Sequence, residues 1–167
     1  MRILTVRQPW AWAIIHGQKD VENRVRNIAG DYRGPVAIHA AQQVDLAAFS
    51  GQSAPLTEAA QLYNEANTDV LKSSPWQTRG LILGVVNLTG VHRAYASFGC
   101  SIDEADVCEP PCSRWGEFDR GQTMFHLVLA NPRPLASPIP YKGALGLHRL
   151  DDDTVTRVLE QIGDHHA

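Results

Sequence analysis

An α+β fold built around a strand-rich core is what this sequence predicts, and three observations carry the prediction. Residues 80 to 93 hold Leu81, Ile82, Leu83, Val85, Val86, Leu88 and Val91 in a nearly continuous apolar run, the pattern of a strand buried on both faces. Shorter apolar runs at 2–6, 21–27, 34–41 and 123–129 also read as strands, and segments of helical spacing separate several of them. A chain of 167 residues with 44% hydrophobic content is long enough for one compact core. We therefore expect one domain over residues 1–150, with a C-terminal helix and tail at 151–167 packed on it. Five or six strands joined by helices between non-adjacent ones imply a mixed sheet that is closed or nearly so.

The elements follow in order. Ile3, Leu4 and Val6 make Arg2 to Val6 a short strand. Pro9 suits a first helical position, where its fixed φ fits and its missing N–H is not needed. Trp10, Ala13, Ile14 and Gly17 then fall at helical spacing, with Gly17 as a stop. This helix spans barely two turns and must depend on packing. Val21 to Asn27 is the second strand and Gly34 to Ala41, rich in Val and Ile, the third. From Val44 to Ser74 the pattern turns helical and then loop-like, with an apolar stripe of Leu56, Ala59, Ala60, Tyr63 and Ala66 that Ser73-Ser74-Pro75 ends. Residues 94 to 122 look irregular, and a stretch of that length in a small domain is usually functional or poorly ordered. Thr123 to Leu129 returns to strand, Pro132, Pro134, Pro138 and Pro140 impose extended connections, and Tyr141 to Leu150 closes as a glycine-punctuated strand. Asp151, Asp152 and Asp153 mark the start of a last helix carrying Val155, Val158, Leu159 and Ile162.

Composition narrows the function. No run approaches the ~20 apolar residues that span a bilayer, and the N-terminus lacks the apolar stretch and small-residue cleavage site of a signal peptide. These predict a soluble, cytoplasmic protein with no membrane partner. A net charge of −3 argues against avid nucleic-acid binding, but the charge is uneven. Residues 1–40 carry six lysines and arginines against three carboxylates, and residues 41–122 carry five against ten. Positive charge gathered at one end suits a local anionic ligand better than a long phosphate track.

The positive stretch contains Lys19, Glu22 and Arg24 between two apolar runs, where a buried core calls for no ionisable group. In a strand alternate residues share a face, so Glu22 and Arg24 are neighbours, and Lys19 lies at the helix–strand junction with a stem long enough to join them. Gln8, Pro9 and Trp10 precede them and could face the same place. Such a cluster is either a network bracing the fold or the wall of a polar pocket. In a pocket, a desolvated Lys19 could act as a base with Glu22 relaying a proton, or the same groups could read a base edge. Trp10 offers a face for base stacking, typically worth ~1–3 kcal/mol, whereas Trp12 reads as a core aromatic. His39 ends a strand and is either a satisfied polar residue or a ligand contact.

Gln8-Pro9-Trp10 followed by Gly17-x-Lys19-x-x-Glu22-x-Arg24 resembles the signature of ASCH domains, part of the PUA-like superfamily. Tyr32 to Ala41 and Gly80 to Leu88 resemble that family's next strands, and Phe125 to Leu150, with Pro138-Ile139-Pro140-Tyr141-Lys142-Gly143, its closing ones. The resemblance implies a small mixed β-barrel with flanking helices that binds RNA, a nucleotide or a modified nucleoside in a cleft beside the motif. It places Lys142 and Gly143 near the cleft mouth, where glycine permits close backbone approach and lysine meets phosphate. One bacterial branch of the family hydrolyses acetylated cytidine nucleosides with a lysine, a threonine and a glutamate. Lys19 matches that lysine, but the threonine falls on Glu22 and the glutamate has no match, so binding is the expected function. Ribonuclease members keep hydrolysis, with Lys19 and Glu22 as the catalytic pair, as the alternative, and a non-catalytic structural protein is the third reading.

Cys100-x7-Cys108-x3-Cys112 does not match the two-pair spacing of a zinc site, and an odd number of thiols argues against disulfides. Neither metal nor cofactor is expected; His92 or His126 would have to be recruited by the fold. The resemblance suggests that Cys112-Ser113-Arg114-Trp115 lines the pocket, and a nucleophilic Cys112 would need a base beside it. Arg133 and Arg149 lie on or beside the closing strands as further cations.

Overall fold

The computed structural model describes residues 1–51, 53–66, 75–95, 99–101, 107–108, 112–118 and 123–163. Among these residues there are eight strands: β1 (Arg2–Gln8), β2 (Val21–Arg24), β3 (Gly34–Val44), β4 (Leu81–Tyr95), β5 (Gly99–Ser101), β6 (Val107–Cys108), β7 (Met124–Pro140) and β8 (Leu147–Arg149). The same described residues form three α-helices: α1 (Trp10–His16), α2 (Ala54–Ala66) and α3 (Asp152–Ile162). The fold is α+β as predicted. The expected ends of the 44–74 segment at Ser73 and Ser74, and much of 94–122, lie outside the described residues.

Six strands pair in the order β2-β7-β4-β3-β1-β8, and β5 and β6 extend from the end of β4. Only the β1–β3 pair within that order is parallel, so the sheet is mixed. The expected closure into a barrel is not seen. β2 and β8 finish opposite ends of the order without pairing to one another, and at four and three residues they are too short to supply a closing ladder.

β4 explains why the sheet has helices on both sides. Leu83, Val86 and Leu88 join Leu4, Ile38 and Leu127 beneath Ile14 and Ile15 of α1. Ile82 and Val85 join Ile3, Ala37 and Ile139 beneath Val158 of α3. Both faces of β4 are therefore dry, which its unbroken apolar run required. Asp151 caps α3 as predicted, its Oδ1 accepting from Thr154 N at 2.8 Å.

Two strand predictions need correction. The prolines at 132, 134, 138 and 140 do not connect strands; they lie inside the 17-residue β7. Beyond Val128 no further strand among the described residues pairs with the outer side of β7, so missing N–H groups are tolerated there as on a sheet edge. Residues 141–150 form only the three-residue β8, preceded by a turn across the sheet's end.

A third apolar cluster sits outside the sheet, where Trp12 packs with Leu56 of α2 and Trp115. Trp12 is buried as predicted, with Tyr63 edge-on at 5.4 Å and Trp76 at 5.5 Å. Trp12→Ala is expected to cost ~3–5 kcal/mol, read as a lower midpoint in urea unfolding. A loss under about 1 kcal/mol would show that α2 docks without it. Among the described residues no helix is long and apolar enough to cross a membrane.

Candidate functional site

Beyond the carboxyl ends of β1 and β3 the sheet opens into a cleft of about 1050 Å3, at the large end of the ~300–1,000 Å3 usual for small-molecule sites. It forms where β1 and β3 part. Their register shifts between Val6 and Gln8, and the chain then turns into α1, which carries Trp10 to the rim. Arg7, Lys19, Arg24 and Lys142 bring positive charge to the lining; Glu22, Asp45 and Glu117 bring negative charge. This near balance suits a ligand group that offers both donors and acceptors.

Lys19 enters the cleft because α1 ends tightly. The amides of Gly17 and Lys19 both bond Ala13 O at 2.9 Å, with Gln18 at the left-handed φ of 59° between them. The Lys19 side chain is only 4% exposed. Its ammonium donates to Val21 O and lies 5.4 Å from the Trp10 ring and 5.7 Å from the Trp115 ring. Burial pushes its pKa below the ordinary lysine value; Glu22, Glu117 and Asp20 oppose that shift, and Arg24 adds to it.

Glu22 and Arg24 share one face of β2, as the alternation predicted, and form an ion pair at 3.0 Å. Arg24 Nη2 also donates to Thr5 O at 3.1 Å, while its buried Nε has no hydrogen-bond partner among the described residues. That nitrogen is a donor already desolvated at the cleft wall. Trp10 anchors the rim through Nε1, which donates to Asp45 Oδ2 at 2.8 Å.

Glu117 comes from the segment read as irregular. Asn23, on the other face of β2, holds it there: Asn23 Nδ2 donates to Trp115 O at 2.9 Å, and Glu117 N donates to Asn23 Oδ1 at 3.1 Å. Ser113 Oγ adds a hydrogen bond to Asp20 Oδ1. Desolvation by the cleft walls raises the Glu117 carboxyl pKa, Lys19 lowers it, and Glu22 and Asp45 raise it. The cleft thus holds an amine whose pKa is lowered and a carboxyl whose pKa is raised, so their proton affinities are drawn toward each other.

The mouth is fixed by a chain of hydrogen bonds through His39. Tyr141 O can only accept, so the His39 Nε2 at 3.0 Å carries the proton. His39 Nδ1, 3.2 Å from Thr5 Oγ1, therefore accepts from that hydroxyl, which itself accepts from Ala144 N at 3.2 Å. Gly143 lies flat against this ring: a Cβ there would stand 2.5 Å from His39 Cε1.

Burial lowers the His39 pKa below 6.5, against smaller opposing contributions from the Tyr141 and Gly80 backbone. A lowered folded pKa means the unfolded chain binds the proton first, so this stability is present above 6.5 and is lost as pH falls through the folded pKa. Melting temperature is expected to fall between about pH 7 and pH 5, and less so in His39→Gln. Equal slopes in the two proteins would remove His39 as the cause.

Seven of the nine proposed binding residues line the cleft: Trp10, Lys19, Glu22, Arg24, His39, Lys142 and Gly143. Gln8 and Pro9 do not. Gln8 is fully buried, with Oε1 accepting from Trp12 N and Nε2 donating to Thr78 O, both at 2.9 Å, and it braces the start of α1. Pro9 follows it across a cis peptide as the N-cap of α1 rather than the first helical residue. Arg133 bonds Asn87 Oδ1 at 3.3 Å and Arg149 pairs with Asp152 at 3.3 Å, both away from the cleft.

Cys112 is not in the cleft lining. Its Sγ lies 3.0 Å from His92 Nε2 and 3.1 Å from His126 Nδ1, so the fold does recruit both histidines that the spacing left aside. Burial lowers the pKa of His92 and of His126; His126 lowers that of His92 further, and on His126 the Glu117 carbonyl opposes the shift while Lys19 adds to it.

The family model for the ASCH domain matches residues 4–138. The chain belongs to the ASCH domain family. Its fold is similar to crystal structures of ZmASCH, an ASCH protein from Zymomonas mobilis. A Tyr-to-Phe mutant is 13% identical with a TM-score of 0.53 over 95% of this chain and 96% of that one. A Ser-to-Ala mutant is 12% identical with a TM-score of 0.50 over 95% and 94%. At such identity the likeness is one of fold. No curated protein matches the sequence. In this ASCH domain the signature residues Lys19, Glu22 and Arg24 converge on the cleft, and Glu117, Thr5 and Asp45 complete it without having been singled out by sequence. Only the Cys-Ser-x-Trp pattern at residues 112–115 pointed toward Glu117, through Trp115.

Proposed function

We infer that this ASCH domain binds RNA, a nucleotide or a modified nucleoside in the cleft above Lys19, Glu22 and Arg24. The observation that carries the reading is that Lys19, Glu22, Arg24 and Trp10 together line one hollow of nucleotide size. Glu22 and Glu117 accept from an exocyclic amine, Lys19 and Arg24 donate to carbonyl or phosphate oxygens, and Trp10 stacks on the base. Lys142 and Arg7 at the rim meet phosphate. Calorimetric titration with cytidine, cytidine monophosphate and a short single-stranded RNA tests this. Saturable binding of at least one is expected, and a folded protein that binds none overturns the reading.

One observation favours hydrolysis as a second reading. The Lys19 amine has a lowered pKa and stands close enough to Glu117 and Glu22 for their charges to act on it. A neutral Lys19 can take the proton of an attacking water, and a carboxyl raised in pKa, as Glu117 is, can return one to the leaving group. Glu22, expected to be the relay, is held by Arg24, so Glu117 fits that role better. Incubation with N4-acetylcytidine and with single-stranded RNA, followed by chromatography, separates the readings: unchanged substrate with binding intact leaves the binder alone.

A further inference from the structure

We propose that His92, Cys112 and His126 form a binding site for a thiophilic divalent metal, zinc above others, that fastens residues 112–118 to the sheet. The three donor atoms all lie within 4.8 Å of one another. Zinc bonds of ~2.3 Å to sulfur and ~2.0–2.1 Å to nitrogen, set at tetrahedral angles, place neighbouring donors roughly 3.5 Å apart. The observed sulfur–nitrogen separations of 3.0 and 3.1 Å need to widen by a few tenths of an ångström, and the two ring nitrogens, within 4.8 Å of each other, to settle at a similar spacing, for the ion to enter. Two imidazoles and a thiolate are zinc-type donors and a poor set for magnesium or calcium.

The frame is rigid where a metal site must be. His92 on β4 and His126 on β7 are direct cross-strand partners, and directly paired residues project to the same side of a sheet. His126 is fully buried and His92 is 8% exposed. The ring of His126 is also held in the tautomer that a metal needs. Its Nε2 lies 3.0 Å from Glu117 O, which can only accept, so the proton sits on Nε2 and the Nδ1 lone pair faces the sulfur. Gly116 packs against the same ring, since a Cβ there would stand 2.8 Å from His126 Cε1.

Proton balance is simple. Without metal, the Cys112 S–H donates to His126 Nδ1 and His92 Nε2–H donates to sulfur. On binding, the thiol proton leaves to water, His92 exchanges its Nε2 proton for one on Nδ1 through solvent, and the ion takes the three freed lone pairs. A nucleophilic thiol is the competing use of this cysteine. It is disfavoured because the sulfur does not line the cleft. The fourth position belongs to water or another donor. Cys100 is a backbone neighbour, since register pairs it with Ala94, two residues along β4 from His92.

The consequence reaches the cleft without depending on what the cleft binds. Cys112 begins the segment that supplies Glu117 to the cleft lining and the Trp115 ring to the surroundings of Lys19. Metal analysis of the purified full chain is expected to give about one zinc per molecule. Cobalt(II) added to chelator-treated protein is expected to produce a thiolate-to-cobalt charge-transfer band in the near ultraviolet. Cys112→Ser and His92→Gln should each weaken metal affinity by more than about 100-fold, beyond the 10–100-fold typical of an outer-shell loss, whereas a water ligand predicts that Cys100→Ser retains the site. A wild-type protein that is metal-free, gives no cobalt band and does not change its melting temperature with zinc overturns the proposal. So does a folded Cys112→Ser protein that keeps the band. If that variant fails to fold, the wild-type cobalt titration and His92→Gln decide alone.

Discussion

Lys19→Met is expected to weaken nucleotide binding by about 10- to 100-fold while leaving melting temperature almost unchanged. The binding figure is the ~1.5–3 kcal/mol of a hydrogen bond to a charged group, at ~1.4 kcal/mol per factor of ten. The stability figure rests on the state of Lys19 in the free protein. Its ammonium is desolvated, its pKa is lowered, and it donates to one backbone carbonyl, that of Val21. Replacing such a buried charge by an apolar side chain of similar volume is often neutral or stabilising. Glu22 keeps Arg24 as its partner. Glu117 loses the cation that lowers its pKa, so its carboxyl should titrate higher in the mutant, which a carbon-detected NMR titration reads directly. A collapse of the melting temperature would instead make the charged cluster a brace for the fold. That outcome would end the binding-site reading of Lys19.

Gly143→Ala is expected to disrupt the cleft mouth and cost ~1–3 kcal/mol of stability. The added carbon would meet His39 Cε1 at 2.5 Å, His39 Nδ1 at 2.6 Å and Thr5 Oγ1 at 2.8 Å, all closer than real Cβ contacts come. These are the atoms that hold the 141–144 turn to β1 and β3, so the turn must lift or the ring must leave. Either movement displaces Lys142. A second substitution distinguishes this from a general effect of altering a turn. In a Gly143→Ala/His39→Ala pair the two closest clashes are gone and the Thr5 hydroxyl, no longer bonded to the ring, can turn aside, so the combined loss should fall short of the sum of the single losses by ~0.5–3 kcal/mol. Additive losses would show that the two residues do not meet.

What could be read from the chain follows the range of the interactions. β4 was legible because both its faces are apolar, and so was the pairing of Glu22 with Arg24, because strand alternation is a local rule. Glu117 was not, since it is brought to Lys19 by Asn23, 94 residues away in sequence. Gln8 misled by its polarity: its amide finds both partners inside the protein, where the one-dimensional pattern shows only a polar residue beside a proline. The rung joining His92 to His126 depends on the β4–β7 register, which shifts three times along its length. Whether the sheet closes was equally out of reach, because it depends on two very short end strands.

The outer margin of β7 has a bearing on how these molecules behave in company. An unprotected margin of that length invites a neighbour's chain to dock and seed fibrous assembly. Four prolines between residues 132 and 140 withhold donors there. Gln161 of α3 occupies both polar groups of Ser137, accepting from its N–H at 2.8 Å and donating to its carbonyl at 3.0 Å. The same stretch that breaks the rules of a central strand thus guards the protein against sticking to copies of itself.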